Sequence, residues 1–452
     1  MSVLTRNRYI FYFFKFLNKN FRYSLERTKW SPEEMQEYAL MKIRNIVDYA
    51  YQNSEFYFEK FKKVGYKPGD IKKIEDLTYL PITTKSELRE AVKSKKIFPK
   101  NIDLKKLVIS HTTGSTGQPL ELYFDNFGIE ARNANFARGF YFIGVRPLEK
   151  FLLIWRKKEM GRVEKIKNFF GLFKQIGVVD VLNVEGSALN SQKLAEIVYE
   201  IKKFTPSTIR GYVSALYIIA KFIKKNGIEI RPKRVICSAE YLPHSIWDEL
   251  KEAFKCPVYN LYGGSETSLV ALSVDDVSKE MFLSDDFYWT EIIDENGSPI
   301  YEKGKIGSLV ITDYHNLAMP LIRYEVGDMG EFSGNYFGPF RTLKEVYGRI
   351  NDVFILPGGK LLFSHNWHIY FRDVEGLERF KVVQEKIDEI RIQLLPYDRK
   401  LLEKNFIPLK NKIETSFGKD VKFVWEIVDS LPLDKGEKFR AVQSKIDWRE
   451  YI

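Results

Sequence analysis

The sequence predicts an α/β protein, in which a large unit of alternating strands and helices is followed by a smaller α+β unit. Three observations support this fold class. Short apolar runs are separated by amphipathic helical patterns. The pattern changes after about Tyr347. The composition is 44% hydrophobic and 29% charged over 452 residues. That length allows roughly two to four domains, and the apolar content excludes a disordered chain.

Four apolar runs predict buried strands in the large unit, at 107–109, 151–155, 178–184 and 235–239. Apolar residues also recur at helical spacing, first over 33–63 and then between and after the strands. Three of these helical faces consist of Leu194, Ile197, Val198 and Ile201, of Leu216, Ile219, Ala220 and Ile223, and of Ile246, Trp247, Leu250 and Phe254. Because parallel strands need crossover connections of this kind, the alternation indicates a parallel sheet.

The smaller unit is predicted to span residues 349–452, after a large unit of residues 1–348. Strands are predicted at 380–383 and 390–395, and a helix over 398–417. A last strand is indicated by the alternation of Val421, Phe423, Trp425 and Ile427. A β–β–α–β unit of this size could be an independent lid domain on the larger one.

The N-terminal quarter of the chain is basic and rich in aromatic residues. Residues 1–110 carry 23 Lys and Arg against 13 Asp and Glu, whereas the whole chain has a net charge of +11. We treat residues 1–40 as a basic aromatic extension. Residues 1–30 could contact an anionic membrane surface, or they could form a solvated face with aromatics packed on the main body. No nucleic-acid-binding motif is present.

Several other classes of protein are excluded or disfavoured by the sequence. No apolar stretch approaches the ~20 residues of a spanning helix, and the N-terminal apolar run is shorter than a secretory signal core. We therefore expect a cytoplasmic protein. Cys237 and Cys256 allow at most one disulfide, and no histidine shows metal-ligand spacing. A zinc site is not predicted.

The strongest motif is the loop Thr112-Thr113-Gly114-Ser115-Thr116-Gly117-Gln118-Pro119, directly after a predicted strand. Glycines let the backbone approach an anion closely, and successive N–H groups form an anion-binding nest. The hydroxyl side chains add further donors. The loop lacks the Gly-Lys-Ser/Thr ending of a Walker A motif. It is a candidate phosphate site, although a plain surface loop would look similar.

A second motif, Asn260-Leu261-Tyr262-Gly263-Gly264-Ser265-Glu266-Thr267, follows a strand predicted at 257–261. An acid at the carboxyl edge of a parallel sheet can hold Mg²⁺, which prefers one or two carboxylates together with phosphate oxygens. The alternative is a glycine turn that carries an exposed glutamate.

Three more segments carry candidate binding groups. Arg323-Tyr324-Glu325-Val326-Gly327-Asp328 offers a carboxylate in a predicted tight turn, which could accept hydrogen bonds from ribose hydroxyls. Gly348-Arg349-Ile350-Asn351-Asp352 lies where the pattern changes and suits a hinge. Gly436-Glu437-Lys438-Phe439-Arg440 offers a lysine for developing charge.

Taken together and in this order, the five segments resemble the adenylate-forming superfamily of acyl-CoA synthetases, luciferases and peptide-synthetase adenylation domains. The chain looks most like the phenylacetate–CoA ligase branch, which includes proteins of capsular polysaccharide loci. Residues 43–90 also fit this branch, and Ser238-Ala239-Glu240 lies where the branch has Gly-Ala-Glu. The resemblance covers about residues 40–445. It implies the adenylate-forming enzyme fold, with a large multi-sheet N-terminal domain and a small α+β C-terminal lid domain.

The resemblance also implies roles for individual residues. Lys438, Glu266 and Thr116 are the expected catalytic residues, with Glu266 on Mg²⁺ and Lys438 brought in by the lid. Asn351 or Asp352 is the expected hinge. The expected ATP-binding residues are Thr112, Thr113, Gly114, Ser115, Thr116, Gly117, Ser238, Ala239, Glu240, Tyr262, Gly263, Asp328 and Arg349.

Three positions depart from the pattern of the branch. Gln118 stands where phenylacetate ligases usually carry lysine, and Asn351 where the hinge is usually acidic. Glu437 replaces the glycine that normally precedes the terminal lysine.

The implied function is an AMP-forming ligase that uses ATP and Mg²⁺ to activate a small carboxylic acid as its acyl-adenylate. The first hypothesis is that the acyl group then passes to CoA, as in phenylacetate–CoA ligase. The alternative is transfer to an amine or hydroxyl of a surface-polysaccharide precursor. A third hypothesis, a non-catalytic protein on a decayed fold, is disfavoured because Glu266, Asp328 and Lys438 are all retained.

Overall fold

The computed structural model describes residues 19–100, 102–112, 120–146, 149–155, 176–180, 191–275, 277–349, 354–357, 361–362, 367, 370–371, 374–417, 420–431 and 441–446. Four α-helices form its N-terminal part: α1 (Lys19–Glu26), α2 (Pro32–Asn53), α3 (Glu55–Lys62) and α4 (Lys85–Lys93). Short 3₁₀ turns cover Arg27–Lys29, Ile74–Tyr79 and Leu104–Lys106. No helix of the described residues is long and apolar enough to cross a membrane.

The helix predicted over 33–63 is interrupted at Ser54. This residue is extended, and its side chain accepts a hydrogen bond from the backbone of Tyr57 while its N–H closes α2 on Ala50. One serine thus caps the end of α2 and the start of α3, and the chain turns there. Most of the predicted apolar face is confirmed. Tyr38 is only partly buried, whereas the other members are buried: Met35, Ala39, Ile43, Ile46, Val47 and Ala50.

The predicted basic extension is part of the folded body from Lys19 onward. Phe21 is buried, and the Arg27 guanidinium donates to Asp286 at 2.9 Å. Arg138, fully buried, binds the other oxygen of Asp286. Both arginines hold the pKa of Asp286 below its usual range, although burial opposes them. Since a buried carboxylate needs this pairing, the interaction fixes residues 19–29 to the protein.

The large unit is built on a hairpin and an eleven-stranded sheet. The hairpin pairs β1 (Val108–His111) with β2 (Glu121–Phe124), and helix α5 (Asn126–Phe142) follows. The sheet has the order β10-β11-β12-β13-β9-β8-β7-β6-β5-β3-β4. Its strands are β3 (Phe151–Trp155), β4 (Ile176–Asp180), β5 (Thr208–Tyr212), β6 (Arg234–Ser238), β7 (Val258–Gly264), β8 (Ser268–Ser273), β9 (Met281–Leu283), β10 (Tyr288–Ile293), β11 (Ile306–Asp313), β12 (Tyr324–Phe337) and β13 (Phe340–Arg349).

The half of the sheet from β3 to β7 is parallel, as predicted, and its neighbours from β7 to β13 are antiparallel. Helices α6 (Ser191–Phe204), α7 (Val213–Lys225) and α8 (His244–Phe254) pack on one face of the parallel half. Helix α5 packs on the other face. Strand β6 shows the alternation directly, since Val235 and Cys237 face α7 whereas Ile236 faces α5. The α/β prediction is confirmed.

The C-terminal unit is a four-stranded sheet of order β18-β17-β16-β19, preceded by a small two-stranded sheet of β14 (Phe354–Ile355) and β15 (Leu361–Leu362). Its elements are β16 (Leu377–Lys386), β17 (Glu389–Pro396), α9 (Arg399–Phe417), β18 (Lys422–Ile427) and β19 (Val442–Ser444). Helix α9 packs on the sheet through Leu402, Leu409 and Ile413. The predicted β–β–α–β order is confirmed.

Cys237, Cys256 and His315 are buried in the core. Both cysteines are free, and burial raises the pKa of the Cys237 thiol. His315 is fully buried, which lowers the pKa of its imidazole to about 3. A histidine with this pKa is neutral at physiological pH.

Candidate active site

Glu266 lies at the tip of the hairpin that joins β7 to β8, at the carboxyl edge of the parallel strands. Gly264 pairs with Ser268 across this hairpin, and residues 265–267 form its turn. Gly263 and Gly264 are therefore part of a strand, not a glycine turn. The hairpin is clamped by Arg132 of α5, whose guanidinium donates to the carbonyls of Ser265 and Glu266 at 2.9 and 2.7 Å. These two hydrogen bonds from α5 fix the backbone that carries Glu266.

The Glu266 carboxylate faces two donors from other parts of the chain. Lys85 Nζ lies 3.2 Å from Oε1, and the Tyr324 hydroxyl lies 3.5 Å from the same atom. The Lys85 and Glu266 side chains are only 23% and 14% exposed. A half-buried pair of opposite charges is screened less by water than a surface pair. The carboxylate of this pair could therefore bind a metal ion that is held by a phosphate, and the ammonium could bind a phosphate oxygen directly.

Lys85 is held by a local interaction with the sheet. It is the first residue of α4, a helix whose start is closed by a capping box between Thr84 and Glu87. The preceding Thr83 pairs with β12, since its N–H donates to Arg323 at 2.8 Å and its carbonyl accepts from Glu325 at 3.0 Å. These bonds fix the start of α4 against the strand that carries Tyr324.

The second and third predicted motifs are brought together in the sheet. The Tyr262 hydroxyl donates to Asp328 Oδ2 at 2.8 Å. Asp328 lies within β12, where it pairs with Arg349 of β13, so the predicted tight turn is instead a strand. Gly327 has a φ of 81° and permits the irregular backbone just before the carboxylate. The side chain of Arg349 lies outside the described residues.

The segment Ser238-Ala239-Glu240 is the neighbour of Tyr262. Ser238 ends β6 and pairs with Leu261 of β7. Ala239 has a φ of 71°, which is uncommon for a residue with a Cβ and often marks a functional turn. Glu240 accepts from the N–H and the hydroxyl of Ser214 at 2.7 and 3.0 Å, at the start of α7. Its carboxylate fixes the turn, which leaves the backbone of 238–240 beside Tyr262.

Thr112 closes the base of the hydroxyl-rich loop. Its hydroxyl accepts from the N–H of Leu120 at 2.9 Å, and its own N–H donates to the Leu120 carbonyl at 3.0 Å. Several predicted site residues lie outside the described residues. They are Thr113, Gly114, Ser115, Thr116, Gly117, the hinge residues Asn351 and Asp352, and Lys438.

Lys85, Arg132 and Tyr324 were not predicted as site residues. Lys85 carries a signal that could have identified it, because a cation in the first turn of a helix opposes the helix dipole. A residue that violates a local preference is often functional. Arg132 lies on a helix with buried Asn133, Asn135 and Arg138, a polar pattern that does not fit a simple core helix.

Among the residues described, no group of three or more His, Cys, Asp or Glu side chains could hold a metal ion. Glu266 offers one carboxylate. Because Mg²⁺ on a nucleotide takes one or two carboxylates and fills its other positions with phosphate oxygens and water, this donor set fits a nucleotide-borne Mg²⁺.

Gly263 leaves no room for a side chain. A Cβ at this position would lie 1.7 Å from the carbonyl oxygen of Ser268. We expect Gly263→Ala to lower the free energy of unfolding by about 3 kcal/mol, measured by chemical denaturation, because the hairpin must open to accept the methyl group. Gly304→Ala is the comparison, since nothing lies within 4 Å of its Cβ. Its cost should be that of its positive φ, about 1 kcal/mol. Equal losses would contradict the steric argument.

The chain is similar to known proteins in its sequence and in its fold. The model of the CapK C-terminal domain matches residues 354–445. Protein CapK of Staphylococcus aureus is 27% identical over 422 residues, which cover 91% of this chain and 90% of the relative. Phenylacetate-coenzyme A ligase of Pseudomonas putida is 23% identical over 343 residues, 73% of each chain. The crystal structure of 2-hydroxyisobutyryl-CoA ligase in its postadenylation state superimposes with a TM-score of 0.72 at 18% identity, covering 94% of this chain and 92% of that one.

Proposed function

We propose that this chain, which belongs to the adenylate-forming superfamily in the branch of the phenylacetate–CoA ligases and CapK, is an ATP-dependent ligase that activates a small carboxylic acid. A carboxylate oxygen would attack the α-phosphorus of ATP, so that the acyl-adenylate forms and pyrophosphate leaves. The observation that carries the proposal is the contact set Lys85–Glu266–Tyr324 beside Tyr262–Asp328. These contacts bring three distant segments to one edge of the sheet.

The chemistry explains why this site needs donors and cations instead of a protein nucleophile. Carboxylate and triphosphate are both anions, and their approach must be assisted by fixed positive charge and oriented N–H groups. In our proposal, Lys85 and the loop residues Thr113, Ser115 and Thr116 face the β- and γ-phosphates. Glu266 would hold Mg²⁺, which lowers the charge of the triphosphate when bound.

The other end of the nucleotide would lie along β6, β7 and β12. Asp328 can accept hydrogen bonds from the ribose hydroxyls, and Tyr262 orients that carboxylate. The backbone of residues 238–240 would border the adenine. Lys438 would complete the site on the α-phosphate, with Arg349 close to the ribose and residues 351–352 acting as hinge.

The acceptor of the acyl group defines two versions of the proposal. CoA is the first candidate, because the P. putida relative and the superimposed structure are both named as CoA ligases. An amine or hydroxyl of a surface-polysaccharide precursor is the alternative. It rests on the resemblance of the chain to proteins of capsular polysaccharide loci, the group in which CapK, aligned over 91% of the chain, is placed in our proposal. We place either reaction in the cytoplasm, where ATP is available.

The proposal is tested by carboxylate-dependent exchange of labelled pyrophosphate into ATP, run across aryl, fatty, amino and sugar acids with Mg²⁺. Exchange with at least one acid would support adenylation, and no exchange with any class would count against it. CoA is then added to the active mixture. Thioester formation supports the first version, whereas an adenylate that accumulates until an amine or alcohol is supplied supports the second.

Replacing Lys85 tests the cation that the structure adds to the site. We expect Lys85→Ala to lower the exchange rate about tenfold, mainly through a higher KM for ATP, because a charged hydrogen bond contributes about 1.5–3 kcal/mol. Lys93→Ala is the matched control, since Lys93 is an exposed lysine on the same helix. If the KM for ATP were unchanged in Lys85→Ala, Lys85 would not bind the nucleotide, and its role would be limited to stabilising the β7–β8 hairpin.

A further inference from the structure

Three elements of the large unit that contact one another each expose aromatic side chains. Tyr23 lies on α1, Tyr141 at the end of α5, and Tyr336 and Phe337 at the tip of the β12–β13 hairpin. Their exposed fractions are 45%, 37%, 56% and 37%. We call this surface the aromatic face. Four large, partly exposed rings in one region are more than the scattered apolar residues of an ordinary surface.

The aromatic face is continuous because its three elements are in contact. The rings of Phe21 and Tyr141 lie 6.3 Å apart, which joins α1 to α5. The rings of Phe142 and Phe337 lie 5.8 Å apart, which joins α5 to the hairpin. A Cβ at Gly338 would lie 3.5 Å from the carbonyl of Thr28, which brings the hairpin to the segment after α1.

Basic residues surround the aromatic face. Lys19, Arg22, Lys29 and Arg146 are all exposed. The Arg146 guanidinium lies 4.5 Å from the Tyr141 ring centroid and donates to the Tyr141 carbonyl. Within the described part of the chain, none of these four cations is in an ion pair. Other surface lysines are paired; Lys96, for example, lies 2.7 Å from Glu55 and 2.9 Å from Glu59. Glu26 is the single acid of α1.

The sequence that enters α1 continues this chemistry. Residues 1–18 contain Arg6, Arg8 and Lys15, no acid, and the aromatic residues Tyr9, Phe11, Tyr12, Phe13, Phe14 and Phe16. This segment reaches the structure at Lys19, at the edge of the aromatic face. Positive charge with aromatic rings matches an anionic lipid surface. Tyrosine lies at headgroup level there, phenylalanine inserts at the boundary with the acyl chains, and lysine and arginine bind the phosphates.

We propose that the aromatic face and its four cations form a peripheral docking surface for an anionic membrane. The proposed surface consists of these folded elements alone. Each basic side chain near such a membrane contributes about fivefold to binding, which corresponds to about 1 kcal/mol. This inference does not depend on the proposed reaction, and its test measures binding alone.

The test is flotation of the full-length protein with vesicles of phosphatidylglycerol and phosphatidylcholine in equal parts, compared with pure phosphatidylcholine. Two variants change the face: Arg22→Glu with Tyr23→Ser, and Tyr336→Ser alone. The matched control is Lys203→Glu with Tyr199→Ser on α6. Both residues are exposed, and the double substitution changes the net charge and removes a tyrosine ring as Arg22→Glu with Tyr23→Ser does.

We expect wild type and the α6 control to float with the anionic vesicles only, and less so as salt is added. The Arg22/Tyr23 variant should bind at least about tenfold more weakly, and Tyr336→Ser about threefold more weakly. The proposal is overturned if both face variants bind like the control. It is equally overturned if wild type does not float, or if it binds neutral vesicles as well as anionic ones.

Discussion

Glu266→Gln is expected to reduce carboxylate-dependent pyrophosphate exchange by about a hundredfold to a thousandfold, the effect of removing one group that stabilises charge at a reacting phosphate. The substitution keeps the size of the side chain and removes its negative charge. It leaves the Lys85 ammonium, 3.2 Å from Oε1, without a charged partner and takes away the carboxylate proposed for Mg²⁺. The rate should recover in part as the Mg²⁺ concentration is raised, because weaker binding of the ion is the main defect.

Glu121→Gln is the matched control. Glu121 is an exposed glutamate at the base of the hydroxyl-rich loop, where it accepts a hydrogen bond from Tyr123. It should retain nearly full exchange. If Glu266→Gln kept the wild-type rate and the wild-type dependence on Mg²⁺, the catalytic role of Glu266 would be refuted. A loss of folding, monitored by circular dichroism, would be distinguished from a loss of chemistry by the melting temperature.

Lys438→Ala is expected to slow adenylation about a thousandfold while acyl transfer from a supplied acyl-adenylate changes little. The reason is that the lysine is proposed to neutralise charge only while carboxylate and α-phosphate approach each other. Single-turnover measurements of both half-reactions separate these effects.

Lys445→Ala serves as the control for this lysine. Its ammonium is on the surface of the C-terminal unit, paired with Glu385. Both half-reactions should keep their wild-type rates in this variant. Equal losses in the two steps of Lys438→Ala would instead indicate that the lysine maintains the C-terminal unit, and the assignment would move to another cation.

The parallel half of the sheet was predictable because its strands and helices bury apolar residues in simple periods. The antiparallel half was not predicted, and its polar content explains why. Strands β10 and β11 are buried throughout or nearly so, yet they contain Thr290, Glu291, Ser308 and Asp313. Such residues are tolerated where partners exist, as for Glu291 with the buried Arg323 at 3.0 Å. Those partners come from distant segments of the chain. The spacing of apolar residues within each strand therefore does not identify these strands.

The candidate site shows the same division between local and distant information. Glu266, Tyr262 and Asp328 could be identified as candidates because each lies in a short motif with a glycine nearby. Their mutual contacts follow from strand order, which the motifs do not contain. Lys85 was covered only by the general resemblance of residues 43–90 to the branch, without a role of its own. Its approach to Glu266 depends on a bridge between Thr83 and Tyr324, residues separated by most of the large unit.

The bridge between Thr83 and Tyr324 limits which segments of the protein can be exchanged between relatives. Thr83 forms an isolated β-bridge with Tyr324 at the edge of the sheet, and Lys85, two residues later, supplies a charge to the reactive edge. Arg323 strengthens the junction, since its guanidinium donates to the carbonyls of Thr78 and Leu80. The first ninety residues are therefore not an interchangeable module. A chimera that exchanges them between relatives should inherit the nucleotide affinity of the donor, even when the rest of the catalytic body is unchanged.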